Sequence, residues 1–341
     1  VAAAPRACPV ASASTQFRAS GLSARRFVGY TGDVRSMTFS PNGDLAATGH
    51  WDGQAKVWNV STGALLRAFR GHKTVVLDVS FDPSGERLLT ASGDNSAKLW
   101  STASGEELRT LTGHSGWVVS AAFGAQGNIV VTGSNDKTAK VWDASSGQEV
   151  GALPEHGATL LSVAGCPDGR FIFTSAGDNS SRLWDAATGE ELKRLRGHDG
   201  WVVAASFAAD GAALLTGSYD DSARLWATSG GRRVLDLDGG AELGDVLAVA
   251  LSTDGALAMT GTRLGVVTVW DTASGEPLRR WRDPAGEPVA AVAFSSDGSG
   301  MLIGALRRPH RKTKGDEERE QCEARCAKEG QGEEMPVFEV R

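Results

Sequence analysis

A tryptophan recurs along this 341-residue chain at a constant step. Trp58, Trp100, Trp142, Trp184 and Trp226 lie 42 residues apart by subtraction, and Trp270 follows after 44. Two further series keep the same register. One is Tyr30, His72, His114, His156 and His198; the other is Asp52, Asp94, Asp136, Asp178 and Asp220, each Asp six residues ahead of its Trp. A fixed period of about 40 residues means that one supersecondary unit is copied along the chain, and that each copy buries its apolar surface against its neighbours.

The third unit shows what is copied. Residues 118–123 form an apolar run, Gln126-Gly127 reads as a turn, and residues 128–134 (N-I-V-V-T-G-S) form a second run. Asn135-Asp136-Lys137 turns the chain again, residues 138–142 (T-A-K-V-W) give a third run, and residues 149–153 a fourth after Ser145-Ser146-Gly147. Four short runs separated by turn residues, with no helical period between them, predict an antiparallel meander. Apolar residues fall on both faces, as Val141 and Trp142 illustrate. A sheet apolar on both faces must be covered on both, and stacking such sheets radially into a ring does this while leaving only short edges.

The Gly-His pair, the Asp in a tight turn and the terminal Trp at this period resemble the WD-repeat family, over roughly residues 24–305. The resemblance implies an all-β, seven-bladed β-propeller of four-stranded antiparallel sheets, its ring closed by an N-terminal strand. It also implies a hydrogen-bonded chain inside each blade, made from the His, a strand hydroxyl, the turn Asp and the Trp. Carried over residue by residue, the full sets are His72, Ser92, Asp94, Trp100; His114, Ser134, Asp136, Trp142; and His198, Ser218, Asp220, Trp226. Such sets recur in successive units, so they are structural and not catalytic. Several units depart from the pattern. The first has Tyr30 for His and His50 for the hydroxyl, the fourth has Ala176 for the hydroxyl, and the sixth has Leu264 for Asp and no His near Gly240. Less rigid blades are expected there.

Six units are complete, and a seventh begins at Val289, but no Trp follows it near Arg311. Residues 23–30 (S-A-R-R-F-V-G-Y) align with residues 65–72 (L-L-R-A-F-R-G-H) and form an outer strand with no blade of its own in front. By resemblance this strand completes the last blade. The propeller is accordingly placed at 23–305, behind a leader at 1–22. The leader carries Arg but no acidic residue, a composition shared by disordered leaders and organelle transit peptides. Residues 306–341 form a charged tail. Residues 337–341 (V-F-E-V-R) can supply the missing strand, with 306–335 as a long insertion; alternatively the tail departs from the family and is disordered. The basic run at 307–314 reads as solvated charge or as a nuclear signal, and Cys322 and Cys326 lack further ligands for a metal site.

No nucleophile–base pair, phosphate loop or metal-ligand spacing stands outside the repeat, so no catalytic residue, metal or cofactor is expected. A net charge of −6 argues against bare nucleic acid as a partner, and no apolar run approaches the ~20 residues that cross a bilayer. Four scattered cysteines suit a reducing, cytoplasmic setting. The expected role is a non-catalytic scaffold or adaptor for proteins or peptides, as a monomer or a subunit of a larger complex. The alternative is a regulatory module of a larger signalling enzyme. Trp281 matches the outer-strand apolar site of Phe69, leaving Trp51, Trp117 and Trp201 off the pattern. Together with Tyr219, in the slot of Trp51, and Arg263, nearly so, these are the expected partner-binding residues on the top face, because Trp, Tyr and Arg carry most interface energy.

Overall fold

The structure, a computed structural model, describes residues 26–27, 34–238, 244–283, 286–295, 300–305 and 338–340. They form seven four-stranded sheets. Blade one comprises Val34–Phe39, Leu45–His50, Gln54–Asn59 and Leu65–Arg70; blade two Val76–Phe81, Arg87–Ser92, Ser96–Ser101 and Glu107–Thr112. Blade three is built from Val118–Gly124, Ile129–Ser134, Ala139–Asp143 and Glu149–Leu153, and blade four from Leu160–Gly165, Phe171–Ala176, Ser181–Asp185 and Glu191–Arg194. Blade five holds Val202–Phe207, Ala213–Ser218, Ser222–Ala227 and Arg232–Asp238, and blade six Val246–Leu251, Leu257–Thr262, Val266–Asp271 and Pro277–Arg282. The first strand of each blade packs against the first strand of the next, and Val289–Phe294 of blade seven packs against Val34–Phe39 of blade one. The ring is therefore closed, with the first strands around its axis.

Turn chemistry sets the meander. The residue after each repeat Asp, or its equivalent, has a positive φ: Gly53 at 79°, Asn95 at 67°, Lys137 at 74°, Asn179 at 59°, Asp221 at 62° and Gly265 at 74°. Gly, Asn and Asp visit this region at low cost, and Lys137 does so less readily. The expected turn at Gln126-Gly127 is a short 3-10 segment, Ala125–Gly127, with Gln126 at φ 58°.

The core is divided among the seams between blades. Between blades two and three, Leu89, Leu99 and Leu111 meet Val118, Phe123, Val130 and Trp142. The same arrangement repeats at five further seams, with the Trp of each of blades one to six turned toward the blade before it. In the seam between blades one and two, Trp100 meets Phe69 edge-on at 5.7 Å. Removing a ring of this kind to Ala costs about 3–5 kcal/mol. Trp281 is half-buried against the apolar cluster of blades six and seven, as its alignment with Phe69 implies. Near the axis the seams narrow. A Cβ on Gly133 would meet Val163 at 2.6 Å and one on Gly217 would meet Val249 at 2.7 Å, so only small residues fit this recurring second-strand position.

Each outer strand of blades one to six has a bulge opposite the Trp, which leaves Leu66, Leu108, Val150, Leu192, Val234 or Leu278 out of register and exposed. Bulges twist an edge away from further pairing, and here they protect six edges.

Blade seven is assembled from distant parts of the chain. Its order is Arg26–Phe27, Phe338–Val340, Met301–Ala305, Val289–Phe294 from the outside inward. The N-terminal strand thus closes the ring, and residues 338–340 lie between it and Met301–Ala305 as the third strand. One detail differs from an all-antiparallel blade. Phe338–Val340 runs parallel to both Met301–Ala305 and Arg26–Phe27. A tight turn would have forced an antiparallel return, whereas a strand arriving after more than 30 intervening residues is free to enter from either end. The rest of the tail, with the basic run at 307–314, Cys322 and Cys326, and the leader at 1–22 lie outside the described residues.

Deleting residues 1–30 removes the outermost strand of blade seven and bares an edge. That variant is expected to associate or melt early, while deletion of residues 1–20 behaves as the full chain does. Size-exclusion chromatography with light scattering separates the two; monomeric behaviour of both would overturn the closure assignment.

Candidate functional site

Antiparallel strands place the loop before each first strand and the turn between the second and third strands at the same end of the ring. Backbone bonds tie the two together in blades two to six. Gly93 N donates to Val75 O, Asn135 N to Trp117 O, Gly177 N to Thr159 O, Tyr219 N to Trp201 O and Arg263 N to Asp245 O, at 2.9–3.1 Å. These paired slots form the loop face.

In blades one to five the face is held from beneath by a side-chain relay. In blade two, Trp100 Nε1 donates to Thr90 Oγ1 (2.9 Å), His72 Nε2 lies 2.7 Å from the same oxygen, and His72 Nδ1 lies 2.9 Å from Asp94 Oδ2. Asp94 can only accept, so Nδ1 carries the ring proton, Nε2 accepts from the Thr90 hydroxyl, and that hydroxyl accepts from Trp100. Blade three repeats this through Trp142, Thr132, His114 and Asp136, and blade five through Trp226, Thr216, His198 and Asp220, all at 2.8–2.9 Å. The Asp also accepts the backbone N–H that follows the His, at Lys73, Ser115 and Asp199. Burial alone would raise the Asp136 carboxyl, but bonds from Thr138, His114 and Ser115 outweigh it and hold the group at about 2.

The relay corrects the hydroxyl assigned from sequence. Ser92, Ser134 and Ser218 were expected in it; Thr90, Thr132 and Thr216 occupy the role. Trp100, Trp142 and Trp226 pair across the strands with Leu88, Val130 and Leu214, and each indole N–H reaches the next residue on the same face, two positions on. The serine is two positions further again, where its Oγ accepts the backbone N–H of Asp94, Asp136 or Asp220 at 3.1–3.2 Å and steadies the turn.

The partner-binding candidates all lie on the loop face, in three places. Trp201 and Tyr219 stack at 6.0 Å with 31° between planes, and Arg263 Cζ sits 4.9 Å from the Tyr219 centroid while its Nε pairs with Asp245 Oδ2 at 2.7 Å. Trp51 lies apart, with Arg35 Cζ 5.4 Å from its ring. Trp117 leans over Gly93 of the neighbouring blade, where a Cβ would come within 3.4 Å of its ring. The three tryptophans remain 50, 48 and 47 % exposed. Sequence reasoning missed Asp245 and Arg35. Arg35 was detectable, because Leu77, Val119, Leu161, Val203, Leu247 and Ala290 occupy its register position in the other blades.

The WD domain, G-beta repeat model matches residues 21–59, 63–101, 105–143, 147–185 and 189–227, together more than half of the chain. The chain belongs to the WD-repeat family. The first match begins ahead of the strand that closes blade seven, and the fifth ends with blade five's Trp226 strand; blades six and seven extend the propeller beyond the matched residues. No curated protein matches the chain. WD-repeat propellers are typically non-catalytic platforms for other proteins.

The departures from the WD-repeat pattern in blades one and four are compensated. Blade four keeps its relay despite Ala176, because Thr174 accepts from Trp184 (2.7 Å) and contacts His156 Nε2 (2.7 Å). Its His156 Nδ1 meets Ser180 Oγ (2.8 Å), which in turn donates to Asp178, so the ring lacks the direct carboxylate contact of blades two, three and five. In blade one, His50 Nε2 reaches back to Thr48 (2.7 Å), the acceptor for Trp58, so His50 supplies the imidazole; Tyr30 lies outside the described residues. In blade six, among the described residues, only the Trp270–Thr260 bond remains of the relay, at 3.0 Å.

One first-strand position, filled by Ser or Ala in the other blades, carries a charge in blade two. Asp78, on the first strand of blade two, accepts from Ser36 of blade one (2.8 Å), from Ser120 and Ala121 N of blade three (2.9 and 3.0 Å), and from Val79 N (2.9 Å). It clamps three blades around the axis. Burial pushes its carboxyl above the ordinary value, against the pull of those bonds.

Thr132→Val should destabilise the fold by about 1–3 kcal/mol, since it strands the Trp142 N–H and His114 Nε2 together, whereas Ser134→Ala costs less. Urea denaturation compares them, and an equal cost would return the serine to the relay. A pH effect follows from blade four. Burial, then Arg182, lowers His156 from 6.5 to about 4, so the fold prefers the neutral ring. A lowered folded-state value gives stability that is present above about 6.5 and is lost as the pH falls through about 4. His156→Gln should lose less stability than the wild type over that window, narrowing the gap between them; parallel curves would contradict the assignment.

Proposed function

We propose that this WD-repeat chain is a non-catalytic scaffold or adaptor that recruits protein or peptide partners on its loop face. The observation that carries the reading is the exposure of Trp51, Trp117 and Trp201 at about half their surface, at slots the repeat does not require to be aromatic, since Val75, Gly93 and Gly177 fill the same slots elsewhere. Large rings left in water on a rigid frame mark interaction surfaces, and each anchor covered by a partner contributes about 2 kcal/mol or more. Tyr219 and Arg263 extend the surface in blades five and six. The net charge of −6 favours proteins over bare nucleic acid, and the cysteine usage favours a cytoplasmic setting. The protein works as a monomer or as a subunit of a larger complex. The repeated polar sets are committed to holding the blades, which supports a role without catalysis.

The test is the double variant Trp117→Ala, Trp201→Ala. It should melt as the wild type does and lose partners in affinity pull-down. Retention of every wild-type partner by a normally folded double variant would refute the loop-face reading and move binding to the blade sides.

A further inference from the structure

The loop face is not electrically uniform. The loop and turn that carry Trp201 and Tyr219 also carry Asp199, Asp220 and Asp221, and the loop ahead of blade six carries Asp245. Against them, Arg263 is paired with Asp245, and Arg224 with Asp220 (3.8 Å) and Asp236 (3.3 Å); Arg196 on the same loop is exposed. Asp199 and Asp221 have no ion-pair partner among the described residues. Partial burial, with Asp245, Asp220 and Asp238 nearby, pushes the Asp221 carboxyl above its ordinary value, as expected where negative charge is crowded. Beside Trp117 the sign reverses: the neighbouring loop and turn carry the exposed Lys73 and Lys137.

The chain itself shows which chemistry suits this sector. Arg263 lies over the Tyr219 ring while a carboxylate holds its guanidinium. The adjoining Trp201 is exposed, and among the described residues no cation sits over it. A cation over an indole face, flanked by carboxylates, gains from both the ring quadrupole and the charge.

Building on the loop-face reading, we propose that the sector of blades five and six takes a Lys/Arg-rich segment of a partner protein. One cationic side chain lies over Trp201, and Asp199 and Asp221 pair with its neighbours. The sector is then selective by sign: the Trp117 site has Ser115 and Lys137 where this sector has Asp199 and Asp221, and does not compete for the same segment.

The probe is a fluorescein-labelled peptide of about twelve residues that alternates Lys and Arg with Gly and Ser, compared with its Glu counterpart by fluorescence anisotropy on the full chain. The basic peptide should bind, more weakly as salt is raised, and the Glu peptide should not. Trp201→Ala and the pair Asp199→Asn, Asp221→Asn should each weaken binding about tenfold or more. Asn tolerates the left-handed backbone at residue 221, so the charge variant keeps its fold, and melting checks this. Glu190→Gln, on an exposed turn at the opposite end of the ring, should bind as the wild type does. Undiminished binding by the Asp variants, or equal loss in Glu190→Gln, overturns the assignment. So does binding that appears only after residues 307–314 are deleted, which gives the sector to this chain's own basic run. Loss of pull-down partners by the tryptophan double variant without any basic-peptide binding overturns this inference and leaves the loop-face reading standing.

Discussion

A single threonine hydroxyl in each of blades two to five is the point on which the structure turns. It accepts from the indole that fills the seam behind it and donates to the imidazole that orders the loop in front. Thr90, Thr132, Thr174 and Thr216 therefore connect the apolar core to the loop face through two hydrogen bonds each. Buried, both bonds strengthen, and neither partner has water to fall back on. The ring packs edge-on to the indole as well, at 6.1–6.3 Å, so imidazole, hydroxyl and Trp position one another. Loops that would otherwise be mobile become a fixed platform because their anchoring side chains are the same ones that hold the seams.

The architecture was legible in the sequence because its causes are periodic. A Trp every 42 residues, a His and an Asp in register, and turn residues between short apolar runs specify a meander, its repetition and its radial stacking. The alignment of residues 23–30 with a later outer strand located the closing strand by the same logic. What remained hidden depends on three-dimensional offsets. The choice between Thr132 and Ser134 turns on how far an indole N–H reaches across a strand pair, and both residues share a face, so periodicity cannot separate them. The compensation in blade one, where His50 reaches backward along its own strand to Thr48, has no counterpart in the repeat. Nor does the parallel direction of Phe338–Val340, which depends on an insertion and not on a turn.

The candidate site was legible in its residues and not in its grouping. Trp51, Trp117, Trp201, Tyr219 and Arg263 stood out because they break the pattern, yet the contact among Trp201, Tyr219 and Arg263 joins a loop and a turn of one blade to the turn of the next. A frame of near-identical blades makes such differences informative. Where every slot has the same backbone, a slot's side chain reports on what it meets outside. Asp78 makes the same point within the ring: at a level where the other blades carry Ser or Ala, one carboxylate gathers donors from three blades.

The composition of blade seven bears on how the chain is made. Its inner strands, Val289–Phe294 and Met301–Ala305, emerge late in synthesis, and its outer pair joins residues 26–27 to residues 338–340. Six blades can fold in order as each leaves the ribosome, since each meander is local and needs only the preceding blade to cover one face. Until Val289–Phe294 and Met301–Ala305 emerge, however, the growing molecule is an open arc whose first and last faces are bare, and residues 26–27 wait without a partner until residues 338–340 follow. Ring closure is thus a late, long-range step, and the interval before it is the time in which nascent chains would need a chaperone to keep their open faces apart.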